Sequence, residues 1–273
     1  MKTANQPNLD TVAKFHRLLA KEGVEPEHIN APNNSVAKRR NLAEFLKAGC
    51  PKINKNSEVV TDQLPGRHQL ARLILGDDFI SHEDIATAYG VSYTEDQIKH
   101  FDDTLPDIQT ILWLYVNRYI LIAGMPTELN RLQIRMLHIK FFKSKTEEWY
   151  AVHREKLAKR EVVKAGEWLA ICKEAVPNSF NKTWDQQMQL ITEVEYVPNA
   201  SEVIYAVTAY LKVRNIYLLR WKYVTTSSVD SNGSHVSVGS LDKNGLNVNR
   251  SWDDKCYEDM GIASARNDLF KKQ

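Results

Sequence analysis

Hydrophobic and polar positions alternate most clearly toward the end of the chain. Four alternating runs, each typical of a β-strand, follow one another there: 216–226, 235–240, 246–252 and 261–266. The pairs Asn232-Gly233 and Asn244-Gly245 separate the first three runs. Such pairs are typical of two-residue hairpins, because a type I′ turn needs positive φ at both central residues. We therefore predict that the chain ends in an antiparallel β-meander.

Helical spacing of apolar residues marks most of the chain before this meander. Helices are predicted after the N-caps Asp10, Ser81, Thr183 and Asn199 or Ser201, at 41–48, around Leu70, Leu73 and Ile74, and across the charged segment 146–164. Residues 167–172 predict a short strand. The apolar run 111–124 is rich in β-branched and aromatic residues and predicts one or two buried strands, with a helix as the alternative.

Three regions follow from these patterns. Residues 1–60 contain linker-like stretches rich in Pro, Asn and Ser, which indicate a loosely packed helical and linker region. Residues 61–105 predict a helical subdomain, and residues 106–273 predict an α+β domain. The fold class expected is therefore α+β, with a helical N-terminal region.

Overall charge gives little indication of a partner. The chain has 36 Lys and Arg residues against 34 Asp and Glu residues, a net charge of +2, which is too balanced to indicate nucleic acid or an acidic membrane. The first ten residues lack an apolar signal region, and the three cysteines are far apart, so we expect a reduced, cytoplasmic protein. The apolar stretch 108–123 includes Asn117 and Arg118 and is shorter than the roughly 20 residues of a membrane span. We expect no membrane association.

Motifs for catalysis, cofactors and metals are missing from the sequence. It contains no P-loop, G-x-G-x-x-G, G-x-S-x-G, H-E-x-x-H or C-x-x-C. The D-x-N-G sequences at Asp230 and Asp242 are similar to the opening of a calcium loop but lack its remaining ligands, so ordinary hairpin turns are favoured. We expect no catalytic residues, no cofactor and no metal.

A nucleic-acid-associated regulator is the alternative function. Residues 83–101 are similar to the first helix and turn of a helix-turn-helix motif. Glu95 and Asp96, however, would place carboxylates where the recognition helix needs hydrogen-bond donors. The basic segment 153–164 is a second candidate, although interleaved glutamates favour a solvated helix. Nucleic acid is therefore the less favoured partner.

Acidic and aromatic residues cluster within the predicted meander. Trp252 and Tyr257 stand beside four carboxylates, Asp253, Asp254, Glu258 and Asp259. Large aromatic side chains beside polar ones are typical of adaptable binding surfaces. A solvated loop is the alternative interpretation.

Two strings in the C-terminal half resemble a known fold. EYVPNASEVIYAVTAY, at 195–210, is similar to the L-P-T-x-x-E-W-E-Y-A-A helix of the C-type lectin fold of the formylglycine-generating-enzyme type. The segment 236–266 resembles the G-G-S-W…R…D-x-x-G-F-R ending of that fold, and similar endings recur in uncharacterised bacterial proteins. The resemblance covers roughly residues 160–266 and implies a C-type-lectin-like domain.

The resemblance also implies a kind of binding site. In the variable proteins of diversity-generating retroelements, this ending carries ligand-binding residues, many of them encoded by adenine-rich codons. Together with Trp252, the residues of that character give the candidate ligand-binding set Asn247, Asn249, Ser251, Trp252, Asp253, Asp254, Tyr257 and Asp259. Residues 239–242 replace the family's G-G-S-W, Gly261-Ile262 replaces its G-F-R, and the cysteine pair of the oxidase-like members is missing. We therefore expect a non-enzymatic protein that binds an unknown protein or small-molecule ligand.

Overall fold

A computed structural model describes residues 66–143, 148–152, 155–267 and 269. Within these residues the helices are α1 Arg67–Leu75, α2 His82–Tyr89, α3 Glu95–Asp103, α4 Ile108–Val116, α5 Arg131–Leu137, α6 Trp149–Val152, α7 Leu157–Arg160, α8 Trp184–Met188 and α9 Ala200–Arg214. The strands are β1 Phe79–Ile80, β2 Tyr119–Ala123, β3 Leu129–Asn130, β4 Val162–Val163, β5 Trp168–Cys172, β6 Glu195–Tyr196, β7 Tyr223–Val229, β8 His235–Asp242, β9 Gly245–Ser251, β10 Met260–Ile262 and β11 Ala265–Arg266. The predicted region 1–60, with its helices after Asp10 and at 41–48, lies outside the described residues.

Helix α9 lies at the centre of the molecule. Asn199 caps it, because its side chain accepts a hydrogen bond from the N–H of Glu202 at 3.0 Å. Asn215, in the left-handed region with a φ of 57°, ends it. Eleven of its 15 residues are buried, and it contacts strands of both large sheets. A helix buried on nearly all sides has to be surrounded by other elements, which explains its position.

Two sheets share one hydrophobic core around this helix. The five-stranded sheet has the order β1-β2-β5-β11-β6, and the four-stranded sheet has the order β10-β7-β8-β9. Strand β1 lies between α1 and α2 and pairs in parallel with β2, so the segment predicted as helical contributes to the larger sheet. A further two-stranded pair joins β3 and β4. The fold is α+β, as the sequence predicts.

The apolar run 111–124 is part helix and part strand. Its first half belongs to α4, which Asp107 caps by accepting a hydrogen bond from the N–H of Thr110 at 2.7 Å. Arg118, with a φ of 65°, follows the helix, and β2 begins directly afterwards. The predicted strand is therefore wrong for the first half and confirmed for the second. The cap starts a helix before the run, and the left-handed Arg118 separates that helix from β2 within it, whereas β propensity alone favours one structure throughout.

The predicted meander is confirmed only as far as β9. Hairpins join β7 to β8 and β8 to β9, but β7 begins at Tyr223, so residues 216–222 precede it as a loop. The predicted last strand is two strands, since β10 pairs in parallel with β7 while β11 pairs antiparallel with β5 and β6. The loop 252–259 carries the chain from one edge of the sheet to the other, and alternation in sequence does not encode that choice of edge.

The two hairpin turns differ from the predicted type I′ geometry. Gly233 and Gly245 have φ values of 83° and 110°, whereas the preceding asparagines have ordinary negative φ. The Asp230 carboxylate accepts hydrogen bonds from the N–H groups of Asn232 and Ser234, both at 2.9 Å. The side chain therefore folds the turn locally, and only the glycine needs the left-handed region.

The predicted helix over 146–164 is interrupted. Residues 144–147 and 153–154 lie outside the described residues, and the described part forms two single helical turns, α6 and α7, followed by β4. Between the turns, the buried Glu155 carboxylate accepts hydrogen bonds from the backbone N–H and the hydroxyl of Ser231. This tertiary contact fixes the chain where one continuous helix was expected. None of the described helices has the length and apolarity that crossing a lipid bilayer requires.

Candidate ligand-binding site

The inward face of the four-stranded sheet is apolar. Val224, Val238 and Val248 stand in register across β7, β8 and β9, and all three are buried. Helix α9 contacts β7 and β8. Because successive side chains of a strand point to opposite faces, the neighbouring positions point away from this core.

The outward face of the same sheet is polar. Thr225, Ser237 and Asn249 stand in register on it. In the next row, the amide nitrogen of Asn247 donates a hydrogen bond to the hydroxyl of Tyr223 at 3.0 Å. Ser237 is fully buried, and its hydroxyl has no hydrogen-bond partner. The hydroxyl is therefore a polar group beneath this face that the fold itself does not use.

The imidazole of His235 is held between a carboxylate and an indole. Its Nδ1 lies 2.6 Å from Oδ1 of Asp253, and its ring stacks on Trp184 with centroids 3.7 Å apart. The backbone N–H of Trp184 donates a hydrogen bond to the carbonyl of Asp253 at 3.0 Å, so His235, Asp253 and Trp184 each contact the other two. Within the described residues, no hydroxyl or thiol is hydrogen-bonded to this imidazole, so the pair is an oriented base without a nucleophile in contact.

A small inner pocket opens beside this arrangement. It is lined by Lys182, Trp184, Gln187, Thr225, Ser251, Trp252, Asp253, Lys255, Tyr257 and Met260. Its volume of about 10 Å³ corresponds to a single water molecule, so it suits one polar group of a larger ligand. Three aromatic rings and two lysines surround that position.

A wider groove lies next to the inner pocket. It has a volume of about 490 Å³, within the range of small-molecule sites, and is lined by Trp149, Tyr223, Asn249, Arg250, Tyr257, Asp259 and Met260. Tyr257 and Met260 line both cavities, so the inner pocket and the groove are neighbours that share a wall. We call the two cavities together the Tyr257 surface.

One wall of the groove is rigid. The guanidinium of Arg250 lies 4.0 Å above the ring of Trp149, and its Nε lies 3.0 Å from the buried carboxylate of Asp230. The indole nitrogen of Trp149 donates to the carbonyl of Val248 at 2.7 Å. Stacking, the ion pair and the hydrogen bond fix the cation before any ligand arrives, which reduces the entropy cost of binding.

Most of the eight predicted ligand-binding residues come together. Asn249, Tyr257 and Asp259 line the groove, while Ser251, Trp252, Asp253 and Tyr257 line the inner pocket. Asn247 is half-buried and engaged with Tyr223, and the hydroxyl of the buried Ser251 donates to the carbonyl of His235. Asp254 is exposed and lines neither cavity.

Residues outside the predicted set complete the surface. They are Trp149, Lys182, Trp184, Gln187, Tyr223, Thr225, His235, Arg250, Lys255 and Met260. Several come from segments distant in sequence, so no local pattern links them to the C-terminal loop. The alternation of β7 and β8 does indicate that Tyr223, Thr225 and His235 share the face of Asn249, and that signal was available.

The segments considered for nucleic-acid binding have a different character. Helix α3 begins at its cap Thr94 with exposed Glu95 and Asp96, which places negative charge at the end that would meet phosphates. In the described part of the basic segment, Leu157 is buried whereas Arg160 is exposed.

Within the described ranges, no cluster of three or more metal-ligating side chains occurs.

Comparisons with known proteins give no relative from which a function is transferable. No protein-family model matches the chain, and neither a curated protein nor a solved structure gives a significant match.

Proposed function

We propose that this is a non-enzymatic binding protein that recognises a protein or small-molecule ligand through the Tyr257 surface. The observation that carries the proposal is that two adjacent cavities share Tyr257 and Met260 as walls. Residues of α6, α8, β7, β9 and the loop 252–259 meet there, so one ligand can contact all of them. Convergence of aromatic walls and a few polar groups is the usual composition of a binding site.

The side chains of this surface suit recognition by adaptable contacts. Trp149 and Trp184 are fixed by their neighbours, whereas Trp252 is 57% exposed and free to bury apolar area on a ligand. Asn249 and Asp259 supply polar groups beside these rings. Rigid aromatic anchors provide most of the binding free energy in such surfaces, and short polar residues adjust the hydrogen bonds.

A C-type-lectin-like domain with variable positions is part of the same proposal. Residues 195–210 form β6 and α9, and residues 236–266 comprise most of β8 and all of β9, β10 and β11. Asn249 and Asp254 are exposed, so other side chains fit there without disturbing the core, whereas the exposed Asp253 holds the buried His235. Ser251 is buried and hydrogen-bonded, so variation at that position is expected to cost stability.

Selection of random 12-residue peptides on phage tests the proposed surface while the natural ligand is unidentified. Binders selected on the purified protein should lose affinity at least about tenfold with Trp252→Ala and with Tyr257→Ala, the loss expected for interface anchors. Trp221→Ala is the matched control, because Trp221 is 59% exposed and lines neither cavity. Binders that tolerate both test substitutions would show that the recognition surface lies elsewhere.

The diversification part has its own test in the neighbouring DNA. A near-copy of the codons for 236–266 beside a reverse transcriptase, differing mainly at adenines, is the expected finding. Neighbouring DNA without such a copy would leave the binding proposal in place and remove its diversified form.

A further inference from the structure

The loop between α9 and β7 has an unfavourable backbone. Leu219 and Trp221 have φ values of 51° and 62°, in the left-handed region that bulky side chains rarely adopt. Arg118, with a φ of 65°, lines the same cavity as this loop. Strained backbone that the surrounding structure maintains is concentrated at functional sites in proteins.

The same loop exposes large apolar side chains. Ile216, Tyr217 and Trp221 are 43%, 40% and 59% exposed. The guanidinium of Arg220 lies over the ring of Trp221, 5.7 Å from its centroid. Strain and exposure in one short segment are unfavourable for folding, so they indicate a role in contacting something else.

A cavity of about 620 Å³ lies beside the loop. Its apolar wall includes Phe180, Tyr210, Leu218 and Leu219. Nζ of Lys222 lies over the ring of Phe180, 4.8 Å from its centroid, so this cation is part of the wall. The cavity therefore combines a surface on which a flat ring packs with a cation beside it.

The charge around the cavity is predominantly positive. Arg118 pairs with Glu174 at 2.8 Å, and Lys173 pairs with Asp78, so both are neutralised. Arg220 and Lys222 also line it, and neither has a carboxylate within 4 Å among the described residues. Two exposed cations near an apolar wall are complementary to an anion attached to an aromatic ring.

We propose that this cavity binds a phosphate monoester that carries an aromatic ring, such as a nucleoside monophosphate. The ring packs against the apolar wall at Leu218, and the phosphate is held by Arg220 and by Lys222, whose ammonium lies over Phe180. The cavity shares no lining residue with the Tyr257 surface, so this inference is independent of the proposed function.

Calorimetric titration with AMP, adenosine and inorganic phosphate tests the inference. AMP should bind at least about tenfold more tightly than adenosine or phosphate alone, because only AMP uses both parts of the site. Lys222→Gln and Arg220→Gln should each weaken AMP binding several-fold and reduce its dependence on salt. Both side chains are exposed, so the fold should be preserved, and thermal melts check this.

Lys255→Gln is the matched control. Lys255 also lies beside an exposed aromatic ring, with its Nζ 6.0 Å from the centroid of Trp252, but it does not line this cavity. AMP binding should not change in that variant. AMP that gives no binding heat at millimolar concentration, or binds equally well to Lys222→Gln, would overturn the inference. Inorganic phosphate that binds as tightly as AMP, or a thymidine oligonucleotide that binds when AMP does not, would also overturn it.

Discussion

We expect the buried His138 to make the stability of the protein depend on pH. It follows α5 and is 5% exposed, stacked on Phe141 with ring centroids 5.1 Å apart, and its Nε2 lies 2.8 Å from the hydroxyl of Tyr89. Burial, and to a smaller extent the positive charge of Lys212, lower the pKa of His138 from 6.5 to about 4. The imidazole is therefore neutral in the folded protein at pH values where the unfolded chain binds a proton.

The direction and size of the effect follow from proton linkage. Between pH 6.5 and 4 the unfolded chain binds more protons at this position than the folded protein, so the free energy of unfolding falls as the pH falls through this range. Above pH 6.5 the neutral His138 does not reduce the free energy of unfolding. Below pH 4 the reduction has reached its full size. A difference of 2.5 pKa units corresponds to a total of about 3 kcal/mol, of which about 2 kcal/mol is lost by pH 5.

Urea unfolding of the wild type and of His138→Gln, at several pH values from 7.5 to 4, measures this contribution. The substitution removes the titrating group, so the stability of the wild type relative to the variant should decrease by about 3 kcal/mol over the range. His100→Gln is the control variant, because it makes the same substitution at a histidine that is exposed on α3. A constant difference between wild type and His138→Gln from pH 7.5 to 4 would show that His138 does not cause the pH dependence.

Two further predictions concern buried polar groups, and urea unfolding measures both. Arg131→Met should reduce the free energy of unfolding by about 3–5 kcal/mol, because the fully buried guanidinium lies 2.9 Å from the carboxylate of Glu161, which is left unpaired. Adding Glu161→Gln should recover part of the loss, and no recovery would contradict this account. Asn199→Ala should cost about 1 kcal/mol by removing the cap of α9, whereas Asn199→Asp keeps the acceptor. Equal losses in the two Asn199 variants would show that capping is not the cause.

Local structure was predictable wherever one residue fixes it. Ser81, Thr183 and Asn199 each cap a helix in the structure, as the sequence indicates. The hairpins around Gly233 and Gly245 were likewise predictable, because Asp and Gly determine these turns over a few residues. Capping and turn formation depend on neighbours along the chain, so the sequence contains the information needed.

The candidate site was only partly predictable. Trp252, Asp253 and Tyr257 stand close together in sequence, and their aromatic and acidic character marks them. Trp149 and Trp184 join them only because α6 and α8 pack beside the four-stranded sheet. A contact across 70 or 100 residues leaves no periodic trace in one sequence.

The helix caps, the two hairpins and the α+β character of the chain can be read from its amino-acid order. Only packing in the folded protein makes β10 join β7 in parallel, divides the apolar run 111–124 into α4 and β2, and puts the loop 216–222 beside a cationic cavity. Caps and turns are satisfied by hydrogen bonds within a few residues. The choice of strand partner and the convergence of distant side chains depend instead on which surfaces are buried together in the folded core.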